Sequence, residues 1–326
     1  MKAIVVEAFG GPEVLKLRDI RPPEIDDEQV LIKVEATSVN FADVQTRKGL
    51  YHAAGKPPLI PGLDVAGTIE KIGGKITRFK TGQRVIAFPK HGSYAEYVAA
   101  DENLVYALPD SIDWITAAAC PVVTFTSYKL LVDVGRLQPG ESVLIHAASG
   151  GIGTMSIQLA KLLGASKVIG TVGSAHKMSI VTEAGADAVI VTEQHDFVSE
   201  VLDMTEGKGV DLVLDSIAGQ VTRKSLDCLA RYGRLVNFGN ASGEVGVVET
   251  RDLHASCRAV LGFSLGTTRN YRPDLLRDTA EKVLELIASN QLKVMVGHTF
   301  PLGEAEKAHE LIESRQHTGK IVLRVN

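Results

Sequence analysis

The sequence has little of several features that mark whole classes of protein. Its 326 residues include three cysteines, an odd number spread far apart, which argues against a disulfide framework. It has no block of basic residues and a net charge of −4, so its composition does not favour nucleic acid as a main partner. No apolar run is long enough to span a bilayer, and residues 1–6 predict a strand where a signal peptide would have its apolar core. These absences predict a protein of the cytoplasm.

One stretch that is present has the order strand, glycine turn, helix. The run Val143-Leu-Ile145 is typical of a strand buried on both faces, and Gly150, Gly151 and Gly153 follow it before a helical pattern begins. Backbone without Cβ atoms can approach a pyrophosphate, and the N-terminus of a helix offers free N–H groups. The pattern favours a dinucleotide site. Ala148 stands at the first glycine position of the usual fingerprint, and a turn that binds nothing is the alternative.

Further strands are predicted after this turn, with helical patterns between them. The predicted strands span residues 167–172, 188–191, 211–215, 234–238 and 258–262, and the helices include 174–184, 197–204 and 221–230. Strands and helices that alternate at this spacing predict a doubly wound parallel sheet in an α/β protein.

The two ends of the chain predict a second domain. Short alternating strands in the first hundred residues, such as residues 29–37, predict a compact, partly open β-barrel. The helices expected in this part and after the sheet span residues 41–48, 110–119 with Asp110 or Ser111 as cap, 124–134, 277–289 and 303–314, and a last strand spans 320–325. We expect Pro121 to stop the helix before it. We predict that residues 1–123 and 265–326 form one domain and residues 124–264 the nucleotide-binding domain.

Several motifs in the same order resemble the zinc-independent medium-chain dehydrogenases/reductases. The turn Ala147-Ala-Ser-Gly-Gly-Ile-Gly153 is similar to the A-A-x-G-G-x-G turn of that family. Residues 39–43, 49–51, 61–67 and 238–240 are similar to its NADPH:quinone oxidoreductase branch, which includes ζ-crystallin. The resemblance covers the whole chain. It implies a GroES-like catalytic domain with a partly open β-barrel, joined to a Rossmann domain with a doubly wound parallel sheet.

The positions that bind zinc in zinc-dependent relatives carry other residues here. Asn40 stands where those relatives have a cysteine, and Leu63 stands at the histidine of their G-H-E motif, so the resemblance implies no metal. His254 and Cys257 have ligand-like spacing but no second pair of ligands accompanies them. We therefore expect a histidine that flanks a strand and a buried cysteine.

The end of the second strand of the predicted parallel sheet indicates which dinucleotide binds. NAD enzymes of this fold place an acid about 20 residues after the glycine turn, to hold the ribose 2′-hydroxyl. This sequence has Gly173 and Ser174 there, with Lys177 one helical turn later, a set that suits a 2′-phosphate. The same residues bind NADPH in the family that the chain resembles. A solvated helix lysine is the alternative for Lys177, and Thr192 stands where family members often have a tyrosine against the adenosine ribose.

The resemblance implies further cofactor contacts. The predicted cofactor-binding residues are Asn40, Thr124, Ser149, Gly150, Gly151, Ile152, Gly153, Gly173, Ser174, Lys177, Thr192, Ser216, Phe238, Gly239, Asn240 and Lys320. Of these, Thr124 and residues 238–240 are expected near the nicotinamide, and Lys320 near the pyrophosphate. The alternatives are a helix-start hydroxyl, a strand-end turn and a solvated strand lysine, respectively.

Without a metal or a covalent nucleophile, the predicted chemistry is hydride transfer from the cofactor. Asn40 and Tyr51 are the predicted catalytic residues, because the family lines its acceptor site at these positions and both side chains can donate hydrogen bonds. A turn asparagine and a half-buried core tyrosine are the alternatives, while Asp43 and Asp64 are expected to be structural. The resemblance implies an NADPH-dependent reductase of quinones or other α,β-unsaturated carbonyls that forms a homodimer. An NADPH-binding structural or regulatory protein with little turnover is the alternative.

Overall fold

A computed structural model describes residues 1–51 and 55–325 of the chain. The chain divides into two compact units. The two-segment unit comprises Met1–Phe125 and Gly266–Asn326, and the central unit comprises Thr126–Leu265. Among the described residues, no helix combines the length and the apolar character needed to cross a membrane.

The strands of the described residues are numbered in chain order. They are β1 (Lys2–Val6), β2 (Leu15–Asp19), β3 (Gln29–Val39), β4 (Asp64–Ile72), β5 (Arg84–Ala87), β6 (Tyr97–Asp101), β7 (Val105–Ala107), β8 (Ser142–Ile145), β9 (Lys167–Val172), β10 (Ala188–Val191), β11 (Val210–Asp215), β12 (Leu229–Asn237), β13 (Ala259–Gly262), β14 (Val296–Pro301) and β15 (Lys320–Arg324).

The helices are numbered in the same way. They are α1 (Phe41–Arg47), α2 (Trp114–Ala119), α3 (Pro121–Tyr128), α4 (Gly151–Leu162), α5 (Met178–Glu183), α6 (Phe197–Met204), α7 (Gln220–Asp227), α8 (Arg251–His254), α9 (Leu265–Tyr271), α10 (Arg277–Ala288) and α11 (Ala305–Glu313). A π-helical segment, Lys129–Val134, continues α3. Short 3₁₀ helices span Pro12–Val14, Glu102–Leu104, Ala175–Lys177, Pro273–Leu276 and Leu302–Glu304.

The central unit is built on a six-stranded sheet in the order β10-β9-β8-β11-β12-β13, in which every neighbouring pair is parallel. The apolar run Val143-Leu-Ile145 in β8 is fully buried, as predicted. The chain fills the sheet on one side of β8 with β9 and β10, and then returns to its other side with β11. Open α/β sheets bind ligands where the strand order reverses in this way, at the carboxyl ends of the strands.

The two-segment unit is built on a mostly antiparallel, open sheet in the order β14-β15-β3-β4-β5-β7, with β6 also paired to β3. One face of β3 carries Val30, Ile32, Val34 and Ala36, all fully buried, which agrees with the predicted alternation. β15 comes from the end of the chain and pairs with β3, so strands from both segments share one sheet.

Several elements differ from the predictions for physical reasons. The carboxylate of Asp113 accepts hydrogen bonds from the amides of Ile115 and Thr116, so α2 is capped by Asp113 and not by Asp110 or Ser111. Pro121 also begins the next helix, which a proline does without cost because the first helical N–H has no partner within the helix. That helix therefore starts before Thr124.

Three strands were not predicted because their sequences lack a clear apolar alternation. β2 is mostly exposed and carries charged side chains, and β7 has three residues. β14 contains glycine and proline, which are poor strand formers.

Candidate active site

The glycine turn joins β8 to α4 in the central unit, as its sequence predicts. Gly150 is the cap residue of α4, and the hydroxyl of Thr154 donates to its carbonyl oxygen at 3.1 Å. A Cβ atom on Gly153 would lie 2.5 Å from the carbonyl oxygen of Ala148 and 2.6 Å from that of Ala147. The turn and the first turn of the helix are therefore so close that no side chain fits at Gly153. The N-terminal amides of α4 stand at the carboxyl end of β8, where they suit an anion.

The segment after β9 carries no acid, as the sequence indicates. Gly173 and Ser174 follow the strand, and the hydroxyl of Ser174 lies 3.1 Å from Nδ1 of His176. One carboxylate reaches this turn from β10, which the sequence analysis missed. A Cβ atom on Gly173 would lie 3.8 Å from Oε1 of Glu193. The hydroxyl of Thr192 donates to the carbonyl oxygen of Val172 at 3.2 Å.

The carboxyl ends of β11 and β12 bring Ser216 and residues 238–240 together. The amide of Phe238 donates to the carbonyl oxygen of Asp215 at 2.9 Å, and that of Ala241 donates to Ser216 at 3.0 Å. A Cβ atom on Gly239 would lie 2.8 Å from the carbonyl oxygen of Ser216. Because β11 is the direct neighbour of β8 in the sheet, these predicted cofactor residues share one edge with the glycine turn.

Two buried titratable residues shape this edge of the sheet, and sequence reasoning missed both. The carboxylate of Asp215 accepts from the amides of Ile217 and Ala218 and from the hydroxyl of Thr222, so it fixes the turn after β11. His146 follows β8 and is hydrogen-bonded to the hydroxyls of Thr171 and Ser225. Burial lowers the pKa of His146 to about 4, so the ring is neutral at physiological pH.

A buried polar cluster lies in the two-segment unit, and we call Ser38, Asn40, Asp64 and Lys320 the Asp64 cluster. Oδ2 of Asp64 accepts from the hydroxyl of Ser38 at 2.6 Å and from the amide group of Asn40 at 2.8 Å. The ammonium group of Lys320 donates to Oδ1 of Asn40 at 2.7 Å and lies 3.5 Å from Oδ2 of Asp64. Burial lowers the pKa of Lys320, and the charges of Asp64 and Asp43 oppose that effect. Asn40 is thus held between a cation and a carboxylate.

Asp43 extends this polar region toward the α11 side of the unit. Its Oδ2 accepts from the backbone amide of Asn40 at 2.8 Å and from the hydroxyl of Tyr94 at 3.3 Å. The same hydroxyl lies 3.1 Å from Nε2 of His309. Burial raises the pKa of Asp43 to about 7, while the hydrogen bond from Asn40 lowers it and the nearby charge of Asp64 raises it. Tyr94 and His309 were missed because they lie far from Asp43 in the sequence and form no motif.

Thr124 and Lys320 have surroundings that differ from the alternatives considered for them, whereas the burial of Tyr51 agrees with its alternative. Thr124 lies inside α3 and not at its start, and its hydroxyl donates to the carbonyl oxygen of Cys120 at 3.0 Å. Lys320 is 4% exposed, so it is not a solvated strand lysine. Tyr51 is half-buried, and burial raises the pKa of its hydroxyl while the positive charge of Arg269 lowers it.

Known proteins resemble the chain over its full length. Two family models match: the alcohol dehydrogenase GroES-like domain over residues 26–110, and the zinc-binding dehydrogenase over residues 151–289. The quinone oxidoreductase of Pseudomonas aeruginosa is 38% identical to the chain, and the match covers 99% of each protein. The chain belongs to the quinone oxidoreductase family.

Other members of this family agree with the fold. The human quinone oxidoreductase is 35% identical over 99% of this chain and 97% of its own length. The crystal structure of Escherichia coli quinone oxidoreductase complexed with NADPH has a TM-score of 0.92 and 34% identity, and the match covers 100% of both chains. The predicted fold class, a GroES-like domain with a parallel Rossmann-type sheet, is confirmed.

The residues at the zinc positions differ from those of a metal centre. Leu63 is buried and apolar, and Asn40 is part of the Asp64 cluster. Among residues 1–51 and 55–325, no group of three histidine, cysteine, aspartate or glutamate side chains is arranged to hold a metal ion. The expectation for Cys257 was wrong: the thiol is exposed, because the residue lies in the turn after α8, which ends at His254.

Proposed function

We propose that this protein is an NADPH-dependent reductase that transfers a hydride to quinones or to other α,β-unsaturated carbonyls. The observation that carries the proposal is the glycine turn at the carboxyl end of β8, where the strand order of the parallel sheet reverses. The names of the relatives support it, because the proteins from Pseudomonas aeruginosa and human are quinone oxidoreductases and the Escherichia coli structure contains NADPH.

The residues of the central unit fit a dinucleotide. The turn residues Ser149, Gly150, Gly151, Ile152 and Gly153 would hold the pyrophosphate, since the N-terminal amides of α4 stand here and the turn is too tight for a side chain at Gly153. Gly173, Ser174 and Lys177 would hold the 2′-phosphate. They supply a hydroxyl and a cation, and no acid follows β9 directly.

The remaining contacts of the cofactor are proposed from the family resemblance. Ser216 and residues 238–240 lie on the same sheet edge as the glycine turn and would hold the nicotinamide end, together with Thr124 and Asn40. Thr192 would pack beside the adenosine ribose. For Lys320 the contacts suit another role: its ammonium group is buried against Asn40 and Asp64, so we propose that it orients Asn40 rather than binding the pyrophosphate.

NADPH, when bound, supplies the hydride, and the protein supplies orientation and charge stabilisation. Tyr51 would donate a hydrogen bond to the acceptor carbonyl, which becomes negative as the hydride arrives. Lys320 donates to Oδ1 of Asn40, and such a bond polarises the amide so that its N–H groups become better donors. Asp64 accepts one of the two amide hydrogens of Asn40, and the second would serve the cofactor or the acceptor.

We further propose that the reaction needs no metal, because Leu63 cannot ligate one and Asn40 replaces a cysteine ligand. Prolonged treatment with EDTA should leave turnover and stability unchanged. Stoichiometric zinc in the purified protein that is lost together with activity would contradict this.

The assembly and location of the protein are also proposals. β13 is an edge strand of the central sheet, and its apolar residues would pair with a second copy to form a homodimer. A mass corresponding to one chain in light scattering at micromolar concentration would oppose this. A cytoplasmic location is supported by the three cysteines, none of which is in a disulfide.

Steady-state oxidation of NADPH over a panel of quinones and alkenals tests the function. We expect turnover with at least one quinone, and a higher kcat/KM for NADPH than for NADH. Tight NADPH binding without turnover on any acceptor would instead support a structural or regulatory role. A preference for NADH would indicate that Glu193 and not Lys177 governs the adenosine site.

A further inference from the structure

Four lysine and arginine side chains of the described residues are buried, and one of them differs from the other three. Arg47 pairs with Glu313 at 2.6 Å, Lys129 with Asp133 at 2.6 Å, and Lys320 with Asp64 at 3.5 Å. Arg269 is 5% exposed and forms no ion pair with a carboxylate in the part of the chain that is described. Because an uncompensated buried charge is costly, the position of Arg269 requires a physical reason.

The contacts of Arg269 fix its guanidinium group but leave most of its donors unused. It lies over the ring of Phe88, 5.6 Å from the ring centre, and Nη1 donates to the carbonyl oxygen of Pro89 at a long 3.4 Å. The Nε atom is buried and has no hydrogen-bond partner among the described residues. A guanidinium group has five N–H donors in a rigid fork, so this cation is available to a ligand that accepts hydrogen bonds.

The surroundings of Arg269 strengthen its electrostatic effect. Phe88 is fully buried and packs edge-on against Phe125, with a distance of 4.9 Å between ring centres, and Tyr106 packs against both rings. Charge interactions are stronger in such an apolar region than in water. Burial lowers the pKa of Arg269, and the nearby Tyr51, Asp64 and Asp43 oppose that effect. The guanidinium group and the proposed acceptor-binding phenol belong to the same two-segment unit and are near enough to interact electrostatically.

We propose that Arg269 is a catalytic residue that donates hydrogen bonds to the acceptor oxygen beside Tyr51 as that oxygen becomes negative. This inference rests on the proposed function. In the reaction, the acceptor gains the hydrogen and two electrons of the hydride, and NADPH becomes NADP⁺. The acceptor oxygen is left as an oxyanion, which then takes a proton from solvent. Arg269 keeps its proton throughout, and its positive charge stabilises the negative charge that develops on the acceptor oxygen.

The test compares Arg269→Met with Arg272→Met, since Arg272 is an exposed neighbour that pairs with Asp274. Loss of a donor to an oxyanion should lower kcat for Arg269→Met by about a hundred- to a thousandfold, with NADPH affinity nearly unchanged. The unfolding midpoint in urea should equal or exceed that of the wild type, because methionine removes an uncompensated buried charge. Arg272→Met should match the wild type in both measurements. A purely structural Arg269 would give the opposite pattern, with lower stability and unchanged kcat.

A binding measurement without NADPH separates this inference from the proposed function. The probe is para-nitrophenol, whose ionised form resembles a reduced quinone oxygen and has its own absorption band. We expect the wild type to bind the ionised form, and Arg269→Met to bind it about ten- to a hundredfold more weakly. Nitrobenzene, which lacks the charge, should bind both proteins alike. This result would support Arg269 even if no quinone were reduced.

Two outcomes would overturn the inference. The first is equal nitrophenolate affinity in the wild type and Arg269→Met, and the second is a kcat within a factor of about three of the wild type with a quinone that the wild type reduces. If Arg269→Met does not fold, Arg269→Lys replaces it in both assays. Lysine keeps the charge but loses the fork of donors, so kcat and nitrophenolate affinity should both fall, and wild-type values would count against the inference.

Discussion

The two units of the molecule form their proposed ligand sites from different kinds of groups. In the central unit the proposed cofactor site is mainly backbone: a tight glycine turn, the amides of a helix and the ends of three neighbouring strands. In the two-segment unit the proposed site consists mainly of buried charged side chains. Asp43, Asp64, Lys320 and Arg269 are all less than 6% exposed. A backbone site depends on shape and tolerates no added atoms. A site of buried charges is stable only while opposite charges are paired, so removal of one partner leaves the other buried without compensation.

The largest effect, on the unfolding free energy, should come from removing the positive charge of the Asp64 cluster. Lys320→Met leaves Asp64 buried without its cation, which should cost about 3–5 kcal/mol of unfolding free energy. Urea denaturation measures it. Lys307→Met is a matched control, because Lys307 pairs with Glu304 at the surface and its loss should change stability by less than about 0.5 kcal/mol. Equal stability of the two variants would mean that Lys320 contributes no more than a surface lysine.

The next largest effect concerns the reduction of the acceptor and tests the proposed role of Tyr51 in the two-segment unit. Tyr51→Phe removes one donor to the developing oxyanion. This should raise the activation free energy for reduction of an alkenal by about 2.7–4 kcal/mol. Quinones are more electrophilic and should lose much less, and NADPH affinity should stay constant. Tyr106→Phe is the control, since the hydroxyl of Tyr106 has no hydrogen-bond partner among the described residues. Single-turnover rates with both acceptor classes provide the measurement. Equal, small losses of rate for both classes would show that Tyr51 only contributes to packing.

Asp43 gives the cluster a pH dependence. Its carboxyl is buried beside Asn40, Tyr94, Asp64 and Lys320, and burial raises the pKa of this carboxyl from its ordinary range to about 7. The folded state therefore binds this proton more tightly than the unfolded state. The contribution of Asp43 to stability is fully present below pH 4 and is lost as the pH rises to about 7, by roughly 2–4 kcal/mol.

Asp43→Asn isolates this contribution, because the amide stays neutral throughout. The unfolding free energy of the wild type, relative to Asp43→Asn, should fall between about pH 4 and pH 7. Urea denaturation across this range provides the measurement. Parallel pH profiles for the two proteins would show that Asp43 does not titrate differently in the folded state.

The cofactor preference tests the central unit by a change of charge. Lys177→Glu removes a charge-assisted hydrogen bond to the 2′-phosphate, worth about 1.5–3 kcal/mol, and adds repulsion. NADPH affinity should fall about ten- to a hundredfold while NADH affinity changes little. Lys208→Glu is the control in the same unit, because Lys208 is exposed and lies beside Glu206. Fluorescence titration with both nucleotides checks this, and an unchanged ratio of affinities would refute the role of Lys177.

The smallest expected effect tests the dependence of the glycine turn on shape. Gly153→Ala places a methyl group against two carbonyl oxygens, which should cost about 1–3 kcal/mol of stability and weaken NADPH binding. Gly303→Ala would place the added atom 3.7 Å from Cδ2 of Leu17, an ordinary contact distance, and should behave like the wild type. Thermal unfolding and nucleotide titration of both variants provide the comparison. A fully stable Gly153→Ala that binds NADPH normally would contradict the account of the turn.

The same contrast explains how much the sequence could predict. The strand, turn and helix around Gly150–Gly153 are local in sequence, so their order, bounds and proposed chemistry follow from spacing alone. The Asp64 cluster joins residues 38, 40, 64 and 320, and Arg269 lies over the ring of Phe88. No motif connects such positions, because they meet only through the pairing of β3, β4 and β15 and the packing around them. Glu193 was missed for the same reason, since it reaches Gly173 from the turn after the neighbouring strand β10.

A single-turnover experiment tests the central claim, direct reduction of an acceptor by bound NADPH, most directly. EDTA-treated protein saturated with NADPH is mixed rapidly, without oxygen, with a quinone from the panel. We predict that the absorbance of bound NADPH is lost and that hydroquinone forms in equal amount, with a much slower reaction when NADH replaces NADPH. Bound NADPH that stays reduced in the presence of every quinone and alkenal would contradict it.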